Sequence, residues 1–272
     1  MVYLDLFSGI GGFHKGILDA GVKIEKCYFS EIDKYAIQIY KRHFPNAIEL
    51  GNAKYIKGKM LGEINILTFG SPCQDISSLG YGQGLRGKQS ALFFKAIRII
   101  EECEPNIFIF ENVEELLSSN DKKDFECVLR LFSNIGFYNC EWQLLNTIWF
   151  LPQNRPRIYL IGHHIGKPSG QKVFPIIPSF AKHFKTLENS PKTFMACLTT
   201  RSSLARRIPD FGWIYTKKGI RTLTPIEYER LQGYQDNWTE EISDTQRYKC
   251  LGNAVSVPIV KMIIEKLFTI HS

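Results

Sequence analysis

The alternation of two hydrophobic periods constrains the fold of this chain more than any other feature. Over residues 1–162, short apolar runs alternate with stretches whose apolar residues recur at helical spacing. This pattern indicates a parallel sheet with helices on its faces, because consecutive parallel strands need a crossover connection. The expected strands are residues 2–7, 24–29, 47–50, 64–69, 107–110, 138–145 and 157–161, and the expected helices between them are residues 12–20, 33–44, 90–103 and 123–134. The sequence therefore predicts a doubly wound, mostly parallel α/β sheet.

The alternation fails after Gly162. Residues 163–220 are rich in Lys, Arg, Pro and Ser and keep neither period, whereas residues 257–268 form an amphipathic helical pattern with Pro258 in its first turn. That terminal helix must bury its apolar face, and the first domain is the expected partner. We predict a catalytic domain of residues 1–165 plus 250–272, and a small second domain with its hinge in residues 166–249.

Composition limits the class of protein. No apolar run approaches the roughly 20 residues that a membrane span needs, and Asp5 interrupts the first apolar run before a signal peptide could form. The seven cysteines include no Cys-x-x-Cys pair, which favours a reducing cytoplasm and predicts no metal site. The net charge of +7 is compatible with a polyanionic partner but is also common in Lys-rich proteins that bind none.

A glycine turn, DLFSGIGGF, joins the first expected strand to the first helix. Sheets of this kind bind nucleotide-like ligands at such a turn. His14 stands where the dinucleotide pattern requires its third glycine, so a ligand without a pyrophosphate is favoured. Glu31, about 20 residues further on, has the position of a carboxylate that accepts hydrogen bonds from ribose hydroxyls. The alternative is that Gly9 to Gly12 only form a tight turn.

Cys73 lies in GSPCQ, just beyond the fourth expected strand, and Glu111 lies in FENV at the end of the next one. Adjacent strand ends bring the two within reach of each other, as a thiolate nucleophile and its partner acid would require. The glycines of residues 75–87 favour a mobile lid over the same edge. A buried structural thiol and a surface or helix-capping carboxylate are the alternatives.

Two arginines, Arg155 and Arg157, lead into the last expected strand within QNRPR. A spacing of two places both on one face of a strand, where their fixed donors suit a carbonyl or phosphate oxygen. Exposed surface charge is the alternative for both residues.

Six blocks together, DLFSGIGG, GSPCQ, FENV, QNRPR, RTLTPIEYERLQGY and GNAVSVP, resemble the cytosine-5 DNA methyltransferase family of bacterial and phage type in order and spacing. The resemblance runs from Asp5 to Pro258. It implies a Rossmann-like domain that binds S-adenosylmethionine, a small target-recognition domain, and a target cytosine flipped out of double-stranded DNA. It further implies that Cys73 adds to C6 of that cytosine, that Glu111 engages N3 and the exocyclic amine, and that Arg157, with Arg155, contacts O2.

The resemblance also assigns binding residues. The implied cofactor contacts are Phe7, Gly9, Gly11, Glu31, Ile32, Asn52, Pro72, Leu92 and Asn253, and the implied DNA contacts are Gln74, Ser77, Arg86, Arg201, Arg206 and Arg207. Asn52 departs from the family, which commonly has an aspartate there to hold the adenine amine. The recognition region is also short, since about 58 residues separate Gly162 from Arg221.

Two alternatives stay open at this stage. An RNA cytosine-5 methyltransferase shares this motif set, but that type usually has Cys-Phe-Thr where this chain has Cys197, Leu198 and Thr199. A catalytically silent DNA-binding or stimulatory relative would not need to keep Cys73, Glu111 and both arginines. We expect a monomeric cytoplasmic enzyme, with a restriction endonuclease as a candidate partner.

Overall fold

A computed structural model describes residues 1–70, 90–177, 213–216 and 219–269, with only the main chain described at 90–91, 213–216 and 219–220. All seven expected strands are present in it. They are β1 (Val2–Leu6), β2 (Lys26–Ser30), β3 (Ile48–Glu49), β4 (Ile66–Gly70), β5 (Ile107–Val113), β6 (Tyr138–Asn146) and β7 (Pro156–His164). A separate hairpin, which the sequence patterns did not predict, is formed by β8 (Trp213–Thr216) and β9 (Gly219–Thr222).

The seven strands form one sheet in the order β3-β2-β1-β4-β5-β7-β6. Strands β1 to β5 pair in parallel, whereas β7 runs antiparallel to both of its neighbours. The reversal has a covalent cause: residues 147–155 are too few for the crossover that a parallel partner of β6 would require. The predicted mostly parallel α/β sheet is confirmed.

Helices cover both faces of the sheet. The helices are α1 (Gly12–Asp19), α2 (Lys34–His43), α3 (Ser90–Cys103), α4 (Lys123–Asn134), α5 (Pro225–Gln232), α6 (Asp244–Asn253) and α7 (Val257–Leu267). One core lies between the sheet and α3 and α4, and a second lies between the sheet and α1 and α7. The terminal helix α7 thus buries its apolar face on the first domain, as its pattern predicted. Within the part of the chain described, no helix is long and apolar enough to cross a membrane.

Two described parts of the predicted small domain share cores with the large one. Val173 and Phe174 belong to the core beneath α7, and Tyr228 and Trp238 belong to a third core with Tyr40 of α2. The intervening residues 178–212 lie outside the described residues. The domain boundaries at 166 and 249 stay a prediction, but the chain on both sides of 178–212 is anchored to the sheet.

Candidate active site

A cleft opens where the strand order reverses. Connections leave β1 toward β2 on one side and β4 toward β5 on the other, so the carboxyl ends of β1 and β4 leave a crevice between them. The cleft has a volume of about 490 Å³. The described residues that line it are Phe7, Gly9, Glu31, Asp33, Ala36, Gly70, Glu111, Asn112, Val113, Glu115, Leu116, Ser119, Arg155, Arg157, Lys249, Cys250, Gly252 and Asn253.

The glycine turn forms one wall of the cleft, and its glycines have different surroundings. Phe7 and Gly9 line the cleft, and both have left-handed backbone angles, with φ of 54° at each residue. A side chain at Gly9 would meet no atom within 4 Å, so the backbone there is open to a ligand. Gly11, with φ of 83°, faces inward: a Cβ at this position would lie 2.4 Å from Cε2 of Phe44. Gly11 is therefore a packing glycine at the start of α1.

Glu31 ties the glycine turn to the end of β2. One carboxylate oxygen accepts the amide of Gly9 at 2.9 Å, and the other accepts the amides of Ile32 at 2.7 Å and Asp33 at 3.0 Å. Three backbone donors hold the carboxylate in one orientation. A carboxylate has about four acceptor positions, so Glu31 keeps capacity for a ligand hydroxyl.

Glu111 and Arg157 form a half-buried ion pair at the other end of the cleft. Nε of Arg157 lies 3.2 Å from Oε1 of Glu111, and each side chain is 12% exposed. Glu111 is the parallel neighbour of Gly70, and a Cβ on Gly70 would stand 3.0 Å from Oε2 of Glu111. Burial raises the pKa of Glu111, although Arg157 and then Arg155 oppose the shift. This carboxyl therefore holds a proton more readily than an exposed glutamate does.

Arg155 also reaches the cleft, and one nitrogen of its guanidinium is bound to the main chain where α6 ends. The side chain is buried, and one of its terminal nitrogens donates to the carbonyls of Gly252 at 3.1 Å and Ala254 at 2.8 Å. The two arginines that the sequence analysis treated alike thus have different partners.

The other predicted cofactor residues are not all at the cleft. Asn253 lines it, whereas Asn52, Ile32 and Leu92 are absent from its described lining. The Asn52 side chain caps the turn that follows it by accepting the amide of Lys54 at 2.9 Å, and Ile32 is 69% exposed. The remaining predicted site residues lie outside the described residues: Pro72, Cys73, Gln74, Ser77, Arg86, Arg201, Arg206 and Arg207.

An ion pair that the sequence analysis missed lies at the rim. Nζ of Lys249 in α6 is 2.6 Å from Oδ2 of Asp33, and both residues line the cleft. Partial burial raises the pKa of Asp33, but the hydrogen bonds from Lys249 and from the amide of Tyr35 outweigh it and leave that pKa lowered. A helix-capping aspartate just after Glu31 was a visible signal, whereas nothing in the sequence pointed to Lys249.

A second missed feature is a buried polar network beneath the glycine turn. Asp5 is fully buried at the carboxyl half of β1 and accepts hydrogen bonds from Thr68 at 3.0 Å and Tyr40 at 3.2 Å. The Tyr40 hydroxyl also bonds the ring of His14 at 2.9 Å. Burial raises the pKa of Asp5 to about 8. The sequence analysis had used Asp5 as an interruption of an apolar run and as the start of a motif block, and had given it no part in a buried network.

Comparisons with known proteins identify the family. The family model described as C-5 cytosine-specific DNA methylase matches residues 1–210 and 191–269. The type II methyltransferase M1.ScrFI of Lactococcus lactis subsp. cremoris is 31% identical over 98% of this chain and 78% of its own length, and M.NlaX of Neisseria lactamica is 29% identical over 97% and 95%. The crystal structure of S. pombe Dnmt2 methyltransferase has a TM-score of 0.75 with 18% identity, covers 98% of each chain and shares the fold. The chain belongs to the C-5 cytosine-specific DNA methylases, a family of enzymes.

Proposed function

We propose that this chain transfers a methyl group from S-adenosylmethionine to C5 of a cytosine that has been flipped out of double-stranded DNA. The observation that carries the proposal is that one cleft holds two different sets of groups. Gly9 and Glu31 form one end, suited to a nucleoside, and the Glu111–Arg157 pair forms the other, suited to a pyrimidine. Family membership narrows the pyrimidine to cytosine.

The cofactor end fits S-adenosylmethionine. The cleft volume lies within the range of small-molecule sites, and the open backbone at Gly9 admits a ligand that no side chain would obstruct. We assign Glu31 to the ribose hydroxyls, Phe7 and Gly9 to the methionine part, and Asn253 to the closing wall. When bound, S-adenosylmethionine supplies a methyl group on a positively charged sulfur. Ile32, Asn52, Pro72 and Leu92 are proposed as further cofactor contacts, with Asn52 at the adenine amine and Leu92 closing the pocket.

The base end fits a cytosine approached by a thiolate. Cys73 follows Gly70 by three residues, so covalent geometry limits the distance between their Cα atoms to about 11 Å. Gly70 is in direct register with Glu111. The nucleophile and the carboxyl are thereby tethered to neighbouring strand ends, the arrangement that covalent catalysis with a partner acid requires.

The chemistry follows from the weakness of C5 as a nucleophile. Addition of the Cys73 thiolate to C6 moves electron density onto C5, while the Glu111 carboxyl donates a proton or a hydrogen bond to N3 and draws charge from the ring. Arg157 donates to O2 and steadies the negative charge that develops there. The methyl group that bound S-adenosylmethionine would supply joins C5 and leaves S-adenosylhomocysteine. A base, with solvent water as the final acceptor, would then take the C5 proton, the thiolate leaves C6, and N3 returns its proton to Glu111, which restores the aromatic ring.

The DNA side of the proposal uses the parts of the chain between the described segments. We assign Gln74, Ser77 and Arg86 to the strand that carries the flipped base, and Arg201, Arg206 and Arg207 to backbone phosphates. Phosphate contacts set the register of a protein on DNA without specifying its sequence. We further propose that the enzyme is monomeric, works in the cytoplasm and accompanies a restriction endonuclease.

Methyl transfer from tritiated S-adenosylmethionine to duplex DNA and to tRNA, measured side by side, tests the function. We expect label in DNA, and label in tRNA alone would contradict the proposal. The Cys73→Ser variant is expected to abolish transfer. Duplex DNA that carries 5-fluorocytosine is expected to trap a covalent adduct on the wild-type protein and none on this variant.

A carboxamide at position 111 tests the role assigned to the carboxyl. Glu111→Gln keeps the shape and a donor but cannot deliver a proton, so turnover is expected to fall by about 10²–10⁴-fold, the usual contribution of a positioned acid. Glu114→Gln, at an exposed carboxyl outside the described lining of the cleft, is the matched control and should change turnover little. Equal effects at the two positions would refute the assignment.

A further inference from the structure

A buried set of side-chain donors binds the main chain where α6 ends. One terminal nitrogen of Arg155 donates to the carbonyls of Gly252 and Ala254, at 3.1 Å and 2.8 Å. The amide of Gln232 donates to the carbonyl of Leu251 at 2.8 Å. The last carbonyls of a helix have no partner within the helix. At the end of α6, Arg155 and Gln232 supply the missing donors from two other segments.

Gln153, in the same segment as Arg155, joins that segment to α5. Its side-chain amide donates to the carbonyl of Leu231 at 2.6 Å and approaches Oε1 of Gln232 at 3.4 Å. Gln153 and Gln232 are fully buried, and Arg155 is 2% exposed. A buried amide or guanidinium that loses its partner is costly, so these contacts hold the three segments in one arrangement.

The network connects the two ends of the cleft. Asn253 lies between the two residues whose carbonyls Arg155 binds, and it lines the cleft, where we assigned it to the wall that closes on the cofactor. Arg157 follows Arg155 by two residues and pairs with Glu111 at the base end. The backbone amide of Arg155 is itself fixed, because Oδ1 of Asn146 accepts it at 2.9 Å.

We propose that Arg155 is a positioning residue, which holds the Gly252–Ala254 turn in place and sets cofactor affinity through Asn253 instead of contacting the target base. Gln232 supports the same turn through its hydrogen bond to the carbonyl of Leu251. This inference rests on the proposed function, which identifies the ligand as S-adenosylmethionine. The two arginines of the QNRPR block thus have separate tasks, with Arg157 acting on the base and Arg155 on the cofactor.

Calorimetric titration with S-adenosylhomocysteine tests this without turnover. Arg155→Lys keeps the cation but removes the rigid planar guanidinium that holds one nitrogen between the carbonyls of Gly252 and Ala254, and we expect affinity to fall at least about tenfold. Arg157→Lys is the matched control: affinity should stay within about threefold of wild type while methyl transfer falls. Arg155→Lys with wild-type affinity and reduced turnover would overturn the proposal.

A second variant and a coupling measurement complete the test. Gln232→Met is expected to weaken binding in the same direction, and it carries the test if Arg155→Lys does not fold. In an Asn253→Ala background, Arg155→Lys should change affinity less than about threefold, because both residues act through one turn. A full tenfold loss in that background, or unchanged affinity in Gln232→Met, would refute the inference. Wild-type protein that binds no S-adenosylhomocysteine would instead refute the proposed function.

Discussion

The Asp5→Asn substitution is expected to change how stability depends on pH. Burial raises the pKa of Asp5 to about 8, far above the value of about 3.9 for an unfolded aspartate. From about pH 4 to pH 8, Asp5 is therefore protonated in the folded protein and ionised in the unfolded chain. Since the unfolded state binds fewer protons in this window, the free energy of unfolding falls as the pH rises through it.

The size of the effect follows from the titration. While Asp5 is protonated only in the folded state, the free energy of unfolding falls by about 1.4 kcal/mol for each pH unit. The slope is smaller near pH 8, because Asp5 is half ionised in the folded protein there. Between pH 6 and pH 8 the wild-type protein should lose about 2 kcal/mol relative to Asp5→Asn. The carboxamide resembles the protonated acid and can still bond the hydroxyls of Thr68 and Tyr40. Burial lowers the pKa of His14 to about 4, so that ring is neutral in both folded proteins from pH 6 to pH 8. Its titration in the unfolded chain is common to both proteins and cancels in their difference.

Urea unfolding of both proteins at pH 6, 7 and 8 measures the difference. Asp236→Asn is the control, because a hydrogen bond from Arg230 lowers the pKa of that exposed carboxyl and removes its titration from the window. Its difference from wild type should not vary with pH. A constant difference for Asp5→Asn would refute the reasoning, since it would mean that Asp5 is already ionised in the folded protein at pH 6.

The remaining predictions concern packing and a buried ion pair. Gly11→Ala should lower the free energy of unfolding by about 2–4 kcal/mol, because left-handed backbone strain adds to an overpacked contact with an aromatic ring, whereas Gly9→Ala should cost only the strain of about 1 kcal/mol. Equal losses in urea unfolding would contradict this. Arg247→Met should cost about 1.5–3 kcal/mol, since it removes the cation from the fully buried carboxylate of Glu229, which keeps its hydrogen bonds from Asn237 and Thr239. Arg130→Met at an exposed pair should cost less than about 1 kcal/mol. Thermal unfolding that does not separate these two variants would disprove the argument.

Local patterns predicted most of the sheet and its flanking helices but missed α5 and α6. Helix α5 begins with a complete local signal, in which Thr224 and Glu227 form a capping box around Pro225. The capping signal was present in the sequence, but the helix predictions depended on a longer apolar period. The segment of α5 is too short to show that period, so the helix was missed. The hairpin of β8 and β9 lies in a region where neither period persists.

The sequence by itself determined the α/β class, the glycine turn and the order of the motif blocks, because each depends on neighbours within a few residues along the chain. Only the tertiary structure separated Arg157 from Arg155 and Gly9 from Gly11, since each pair shares one local pattern and differs in what packs against it. It also brought Lys249 to Asp33 across 216 positions. Contacts between residues so far apart along the chain exist only once burial has brought distant segments together, and those contacts decide which charges and backbone groups face the cleft.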